Sequence, residues 1–237
     1  MKVALFVPCY IDQFYPQVAK AALSLLEKLG CQVDIPLGQT CCGQPMANSG
    51  YAHLNEPVDN HFLSLFKDYD FIVGPSGSCI LHLKEHHPNP KIRSSVYEIC
   101  EFLVDVLKVK KLSAKFPHTV GIHQSCHGQR GLSLSSMSEK NEPYFSKIEE
   151  LLNLVEGIKI KTPERIDECC GFGGTFCVTE EAISVKMGKD RIKDHEKNQV
   201  EFITGGDTSC LMHMEGILRR KQSLVQVKHI VEILNHE

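Results

Sequence analysis

The sequence predicts an α/β protein made of two tandem, pseudo-symmetric βαβ units, each built on a parallel sheet. Three observations carry this. Short β-branched apolar runs read as buried parallel strands, helical apolar spacing fills the gaps between them, and one cysteine pattern occurs twice in the same order.

The run KVALFVP opens the first unit as a strand and ends at Cys9. Residues Phe14 to Leu29 place Val18, Ala21, Ala22, Leu25, Leu26 and Leu29 at helical spacing, and Gly30 supplies a stop. A strand from Cys31 to Ile35 follows, then a loop with Cys41-Cys42-Gly43 and a helix from Pro57 to Phe66. Strand Asp70 to Val73 begins a run that ends at Cys79 and then His82, and the helical pattern YEICEFLVDVLK, Tyr97 to Lys108, closes the unit. The second unit repeats the series. There TVGIHQS ends at Cys126, the loop carries Cys169-Cys170-Gly171, and EFITGGDTS ends at Cys210 and then His213. Helical patterns cover Pro143 to Val155, Glu180 to Asn198 and Ser209 to Lys221; strands fall near Lys159 and Phe202, and LVQVKHIVEIL supplies a closing strand and helix. The junction falls between Leu112 and His118, giving units 1–112 and 113–237.

With 42% apolar and 23% charged residues over 237 positions, the chain can bury a core without disulfides. A net charge of −3, with both signs interspersed, gives no broad positive field for nucleic acid or anionic lipid. No stretch reaches the roughly 18 to 20 apolar residues of a membrane-spanning helix, so no direct membrane insertion is expected. The short apolar run before Pro8 is no signal segment, which predicts a cytoplasmic protein. Eleven cysteines in that reducing compartment are then core thiols, catalytic thiols or metal ligands rather than a disulfide framework.

Spacing favours metal ligands for eight of them. Parallel strands covered on both faces carry their functional loops at the carboxyl ends, and there the sequence places Cys9, Cys79, Cys126 and Cys210. Adjacent cysteines in a regular strand would point to opposite faces, so Cys41-Cys42 and Cys169-Cys170 converge only where the backbone bends. Gly43 and Gly171 permit that bend, because glycine accepts positive φ and close approach. Each half then offers four thiolates, Cys9, Cys41, Cys42, Cys79 and Cys126, Cys169, Cys170, Cys210, the number that holds an iron-sulfur cluster. Cys31 and Cys100 lie on apolar faces and read as core, and Cys177, without a counterpart in the first half, as structural. Polar neighbours that would donate to sulfur or tune a centre are His123, His127 and Arg130 in HQSCHGQR, Gln44 and Asn48 after the first cysteine pair, and Ser78 before Cys79.

On the segments VPCYIDQFYP, CCGQPMANSGY, VGPSGSC, EFLVDVL, HQSCHGQRGL, ECCGFGGTF and CLMH, the sequence resembles the cysteine-rich CCG-domain proteins, and most closely the lactate utilization protein A family. It is more distantly similar to the B-type subunit of heterodisulfide reductase. The resemblance implies two tandem Rossmann-like CCG domains. It also implies an electron-transfer subunit of a complex that oxidises L-lactate to pyruvate, with other subunits as partners, a ferredoxin-type iron-sulfur protein among them. The reductase-type motif ends in CxxC and supplies a fifth cysteine to an unusual cluster; here it ends in CxxH, at His82 and His213. Four cysteines per site make a [4Fe-4S] cluster in each domain the simpler expectation, with His82 and His213 as candidate extra ligands.

Two other classes stay open on the sequence. Four thiolates, or three and a histidine, also suit zinc in a structural or interaction module, and likeness to the heterodisulfide enzyme leaves a thiol-disulfide oxidoreductase as an alternative. The run CGFGGTF lacks the third glycine of a dinucleotide loop. A cysteine protease would leave the duplicated cysteine pairs unexplained.

Overall fold

The computed structural model describes residues 1–237 and contains two four-stranded, wholly parallel sheets. The first half runs β1 (Lys2–Leu5), α1 (Cys9–Phe14), α2 (Pro16–Lys28), β2 (Gln32–Asp34), α3 (Gln44–Asn48), α4 (Glu56–Phe66), β3 (Ile72–Gly74), α5 (Gly77–His86), α6 (Pro90–Ser95), β4 (Val96–Glu98) and α7 (Ile99–Glu101), which continues into a π-helical turn over Phe102–Val106. The second half runs β5 (Thr119–Ile122), a π-helical turn over His127–Gly131, α8 (Lys147–Leu152), β6 (Lys159–Lys161), α9 (Phe176–Thr179), α10 (Glu181–Lys197), β7 (Phe202–Gly205), α11 (Thr208–Lys221), β8 (Gln226–His229) and α12 (Ile230–Leu234). Strand orders are β2-β1-β3-β4 and β6-β5-β7-β8, so the repeat seen in the cysteines is a repeat of topology. Register follows suit: Ala4 pairs with Ile72, and Gly121 with Ile203.

Side chains alternate across each sheet with the strand period of two. Val3 and Leu5 face an inner core that also holds Val120 and Ile122 of the other sheet, so the halves share one apolar centre. Ala4 and Phe6 face outward into a smaller core under α4 and α5, and Ile203 faces its counterpart under α10 and α11. The closing segments exchange sides. Helix α12 packs on α2, and α7 packs on α8, so each half is covered in part by the other's final helix.

Three expectations change at the level of elements. The helix expected over Phe14 to Leu29 breaks at Tyr15, where Pro16 starts α2 at a position that needs no N–H donor. The segment read as the single helix YEICEFLVDVLK contributes β4 first, because Val96–Glu98 pairs in parallel with Ile72–Gly74. The helix expected from Pro143 begins at Lys147, where the Ser146 hydroxyl accepts the N–H of Glu149 and caps it. No helix is long and apolar enough to cross a membrane.

Candidate metal centres

In the first half, Cys9 opens α1 just after β1, the Cys41-Cys42 pair lies in the loop before α3, and Cys79 is in the first turn of α5. In the second, Cys126 precedes the turn after β5, Cys169-Cys170 lie before α9, and Cys210 is in the first turn of α11. Four separate positions thus converge twice. The Cys9 and Cys41 sulfurs are 3.8 Å apart, and the Cys42 thiol lies near enough to Cys41 and Cys79 for both to push it up. Cys169 sits between Cys126 and Cys170, and Cys170 in turn meets Cys210. All eleven cysteines are free.

The two glycines make this possible. Gly43 has φ +90° and Gly171 φ +88°, a left-handed conformation open to glycine that bends the chain directly after each cysteine pair. Their amides are used as well: the N–H of Gly43 points at Cys41 Sγ at 3.4 Å, that of Gly171 at Cys169 Sγ at 3.3 Å, and that of Phe172 at Cys170 Sγ at 3.5 Å. Backbone donors aimed at sulfur suit thiolates better than thiols.

Proton sharing follows the same duplicate plan. Hydrogen bonds from Cys42 and Cys9 hold the Cys41 thiol far below its ordinary range, and those from Cys126 and Cys170 do the same for Cys169. The donors are pushed up, Cys9 by its bond to Cys41 and Cys126 by its bond to Cys169, with burial adding to both. Each set therefore gathers negative charge on one central sulfur, while its neighbours hold their protons until a metal binds and displaces them. In both sets one cysteine of the pair and the helix cysteine are buried, Cys42 with Cys79 and Cys170 with Cys210, while Cys9, Cys41, Cys126 and Cys169 reach partial exposure.

The accessory residues divide. His123 is buried beside the second set, with a ring nitrogen within 4.8 Å of the Cys170 and Cys210 sulfurs, and burial first, then the Arg191 charge, lowers it to about 3. Gln44 Nε2 and His127 Nε2 meet at 3.5 Å across the two halves. Asn48 approaches Gly174 of the second half. Ser78 spends both its amide and its hydroxyl on the carboxylate of Asp207. Arg130 is half-exposed and pairs with Glu139 at 2.5 Å.

His82 is buried one turn after Cys79 and is lowered to about 4 by burial, then by His86. His213 donates through Nε2 to the Ser184 carbonyl at 3.3 Å. Each borders a cavity next to its thiol set: one of about 530 Å³ reaches His82, His127 and Gln44, and one of about 490 Å³ reaches His213, Phe172 and Cys177. Cys177 donates to the Gly174 carbonyl at 3.0 Å. Cys31 and Cys100 are buried in the shared core.

The loops carrying the thiols face one another across the junction. Besides Gln44 with His127, Ser49 meets Thr175 at 3.1 Å and the Gly77 amide donates to the Gly206 carbonyl at 3.2 Å. Sequence reasoning passed over Asp207 at this junction, and also Arg191 and His195, which are fully buried on α10. Lining up the two repeats would have exposed the last two, since aromatic residues stand at the matching places of α4.

Duplicated parallel sheets, each with four cysteines gathered at strand ends, define a protein of tandem cysteine-rich α/β domains. The family model for the CCG cysteine-rich domain matches twice, at residues 3–84 and 120–215. The chain is 39% identical to lactate utilization protein A of Geobacillus thermodenitrificans over 247 aligned positions, covering 100% of this chain and 99% of that one. It is 39% identical to lactate utilization protein A of Bacillus subtilis over 246 positions, covering 99% of each. The chain belongs to the lactate utilization protein A family of CCG-domain proteins. Among solved structures, an aspartate racemase of Picrophilus torridus aligns with 99% of this chain and 91% of its own at 12% identity, with a TM-score of 0.38, too remote to bear on function.

Proposed function

We propose that the chain is the iron-sulfur electron-transfer subunit of a system that oxidises L-lactate to pyruvate, working in the cytoplasm. The domains in this reading are 1–112 and 113–237, with ligands Cys9, Cys41, Cys42, Cys79 and Cys126, Cys169, Cys170, Cys210. When bound, a [4Fe-4S] cluster in each domain would supply one-electron chemistry. The observation that carries the reading is the twofold convergence of four thiols from distant segments, each set with backbone N–H groups on its central sulfur.

The 3.8 Å between the Cys9 and Cys41 sulfurs also suits zinc, whose tetrahedral thiolates at about 2.3 Å from the ion stand roughly 3.8 Å apart, so metal and sulfide content decides between the two. His82 and His213 stand outside the ligand set in this reading, since His213 is already committed to the Ser184 carbonyl. The partially exposed cysteines give each centre an edge toward a partner, for which the reading names the other subunits of the system, including a ferredoxin-type iron-sulfur protein.

Iron and acid-labile sulfide are measured after oxygen-free preparation. The expected content is about eight of each per chain, halved by Cys42→Ser and halved by Cys170→Ser. Zinc without sulfide would overturn the cluster reading. Deleting the gene should abolish growth on L-lactate as sole carbon source, and undiminished growth would overturn the physiological part.

A further inference from the structure

The two thiol sets are alike, but the side chains behind them are not. Gly43 abuts Asn55 and Gly171 abuts Ser184, which fixes the correspondence between α4 and α10. Counting on from those positions, Phe62 and Phe66 match Arg191 and His195, and Phe6, before Cys9, matches His123, before Cys126.

In the first half the three phenyl rings form a buried apolar cluster. Phe6 meets Phe62 edge-on at 5.2 Å and Phe66 at 5.9 Å, while Phe62 and Phe66 stack at 4.4 Å. In the second half His123, Arg191 and His195 are each at most 2% exposed. Arg191 Nη2 donates to His195 Nε2 at 3.2 Å, and its Nη1 edge turns to the Arg165 carbonyl, to Asp194 at 3.4 Å and to Glu168 at 4.0 Å. Gly121 admits the His195 ring, where a methyl group would collide with its Nδ1; the matching residue in the first half is Ala4.

Burying an arginine and two imidazoles carries a desolvation cost that a phenyl cluster avoids. Neither ring nitrogen of His123 has a protein partner, although the side chain is buried and reaches the Cys170–Cys210 pair. An imidazole always carries at least one N–H. Placed against sulfur, that N–H stabilises the negative charge added on reduction, which a phenyl ring does not. Asp194 and Glu168 offset the arginine charge, so the effect acts through the imidazole donor.

We propose that His123, on its polar floor of Arg191 and His195, sets the reduction potential of the second centre above that of the first. The proposal rests on the iron-sulfur reading and gives the pair a direction. An electron arriving on the first centre from hydroxy-acid oxidation passes to the second; the first is oxidised by one electron, the second reduced by one, and no bond is made or broken.

The test is a redox titration of the intact protein, prepared without oxygen and followed by paramagnetic resonance, with Cys42→Ser and Cys170→Ser assigning the signals. The second centre is expected to be the easier to reduce by at least tenfold in the equilibrium, about 59 mV for one electron. His123→Phe should remove most of that gap without moving the first centre, and His123→Gln, which keeps an N–H, should restore most of it. Equal potentials in the unmodified protein, or a higher first centre, overturn the proposal whether or not the variants fold. So does an unchanged gap in His123→Phe with both signals present. A protein that takes up no iron or sulfide fails at the earlier step and overturns the cluster reading itself.

Discussion

Asp207, in the second half, accepts the backbone N–H of Ser78, in the first, at 2.8 Å. The same carboxylate accepts the Ser209 hydroxyl at 2.7 Å and the Ser209 N–H at 3.3 Å. One buried side chain therefore caps both α5 and α11, the helices that carry Cys79 and Cys210. Removing it strands buried donors in both halves at about 1–3 kcal/mol each. Asp207→Ala should lower the unfolding free energy by about 3 kcal/mol in urea titration, and Asp207→Asn by less, since the amide oxygen still accepts. A loss under about 1 kcal/mol for the alanine variant would show that the cap does not tie the halves together.

The two bending glycines differ in what surrounds them. A Cβ on Gly43 would meet the side chain of Asn55 at 2.7 Å, whereas one on Gly171 would meet the backbone oxygen of Ser184 at 2.6 Å. Both alanine variants incur the left-handed penalty of about 1–2 kcal/mol. Only the Asn55 side chain can turn aside, so Gly171→Ala should be the more destabilising by about 1 kcal/mol or more. Chemical denaturation of both variants checks the order, and equal losses would contradict it.

Glu98 is buried and carries the N-terminal cap of α7, accepting the N–H of Cys100 at 2.6 Å and of Glu101 at 3.2 Å. Burial nevertheless pushes its carboxyl up to about 8 from an ordinary 4.5. The folded chain thus holds a proton that the unfolded chain releases between those values. The stability contributed is complete below about pH 4.5 and is lost as pH rises through about 8. Glu98→Gln stays neutral throughout, so from pH 5 to pH 8 the native protein should lose on the order of 3 kcal/mol relative to this variant. A difference independent of pH would place the titration elsewhere.

Because Val3, Leu5, Val120, Ile122 and the helix pairs α2 with α12 and α7 with α8 belong to one core, the halves should unfold together. Calorimetry should show one transition, not two. Truncation before Ile230 removes Ile230, Val231, Ile233 and Leu234 from that core, each contributing roughly 1.5–3 kcal/mol. That sum rivals the whole stability of a typical domain, about 5–15 kcal/mol, so neither half should fold. A truncated chain that still melts cooperatively would refute the shared core.

Much of this was legible in the residues. The β-branched runs at Lys2–Leu5 and Thr119–Ile122 are strands, and the repeat of the cysteine pattern is matched by two sheets of the same topology. The short strand β4 escaped because Val96–Glu98 runs directly into a helical turn, leaving too few residues for a period of two to register. The Tyr15 break was hidden because Pro16 fits the first turn of a helix as readily as it interrupts one. Contacts that join distant segments left no local trace: nothing around Asp207 in the sequence announces Ser78. The polar floor under the second site is hidden in its own helix, since Arg191 and His195 stand in a charged segment that reads as solvated, and only comparison with Phe62 and Phe66 of the first repeat brings it out.

Ser24 of α2 and Asn235, just past α12, are 211 positions apart and share a hydrogen bond at 3.3 Å. During synthesis α2 leaves the ribosome long before the helix that covers it. The N-terminal sheet must therefore wait with an open apolar face until translation is nearly done, and that interval is when the nascent chain is most exposed to chaperones and to aggregation.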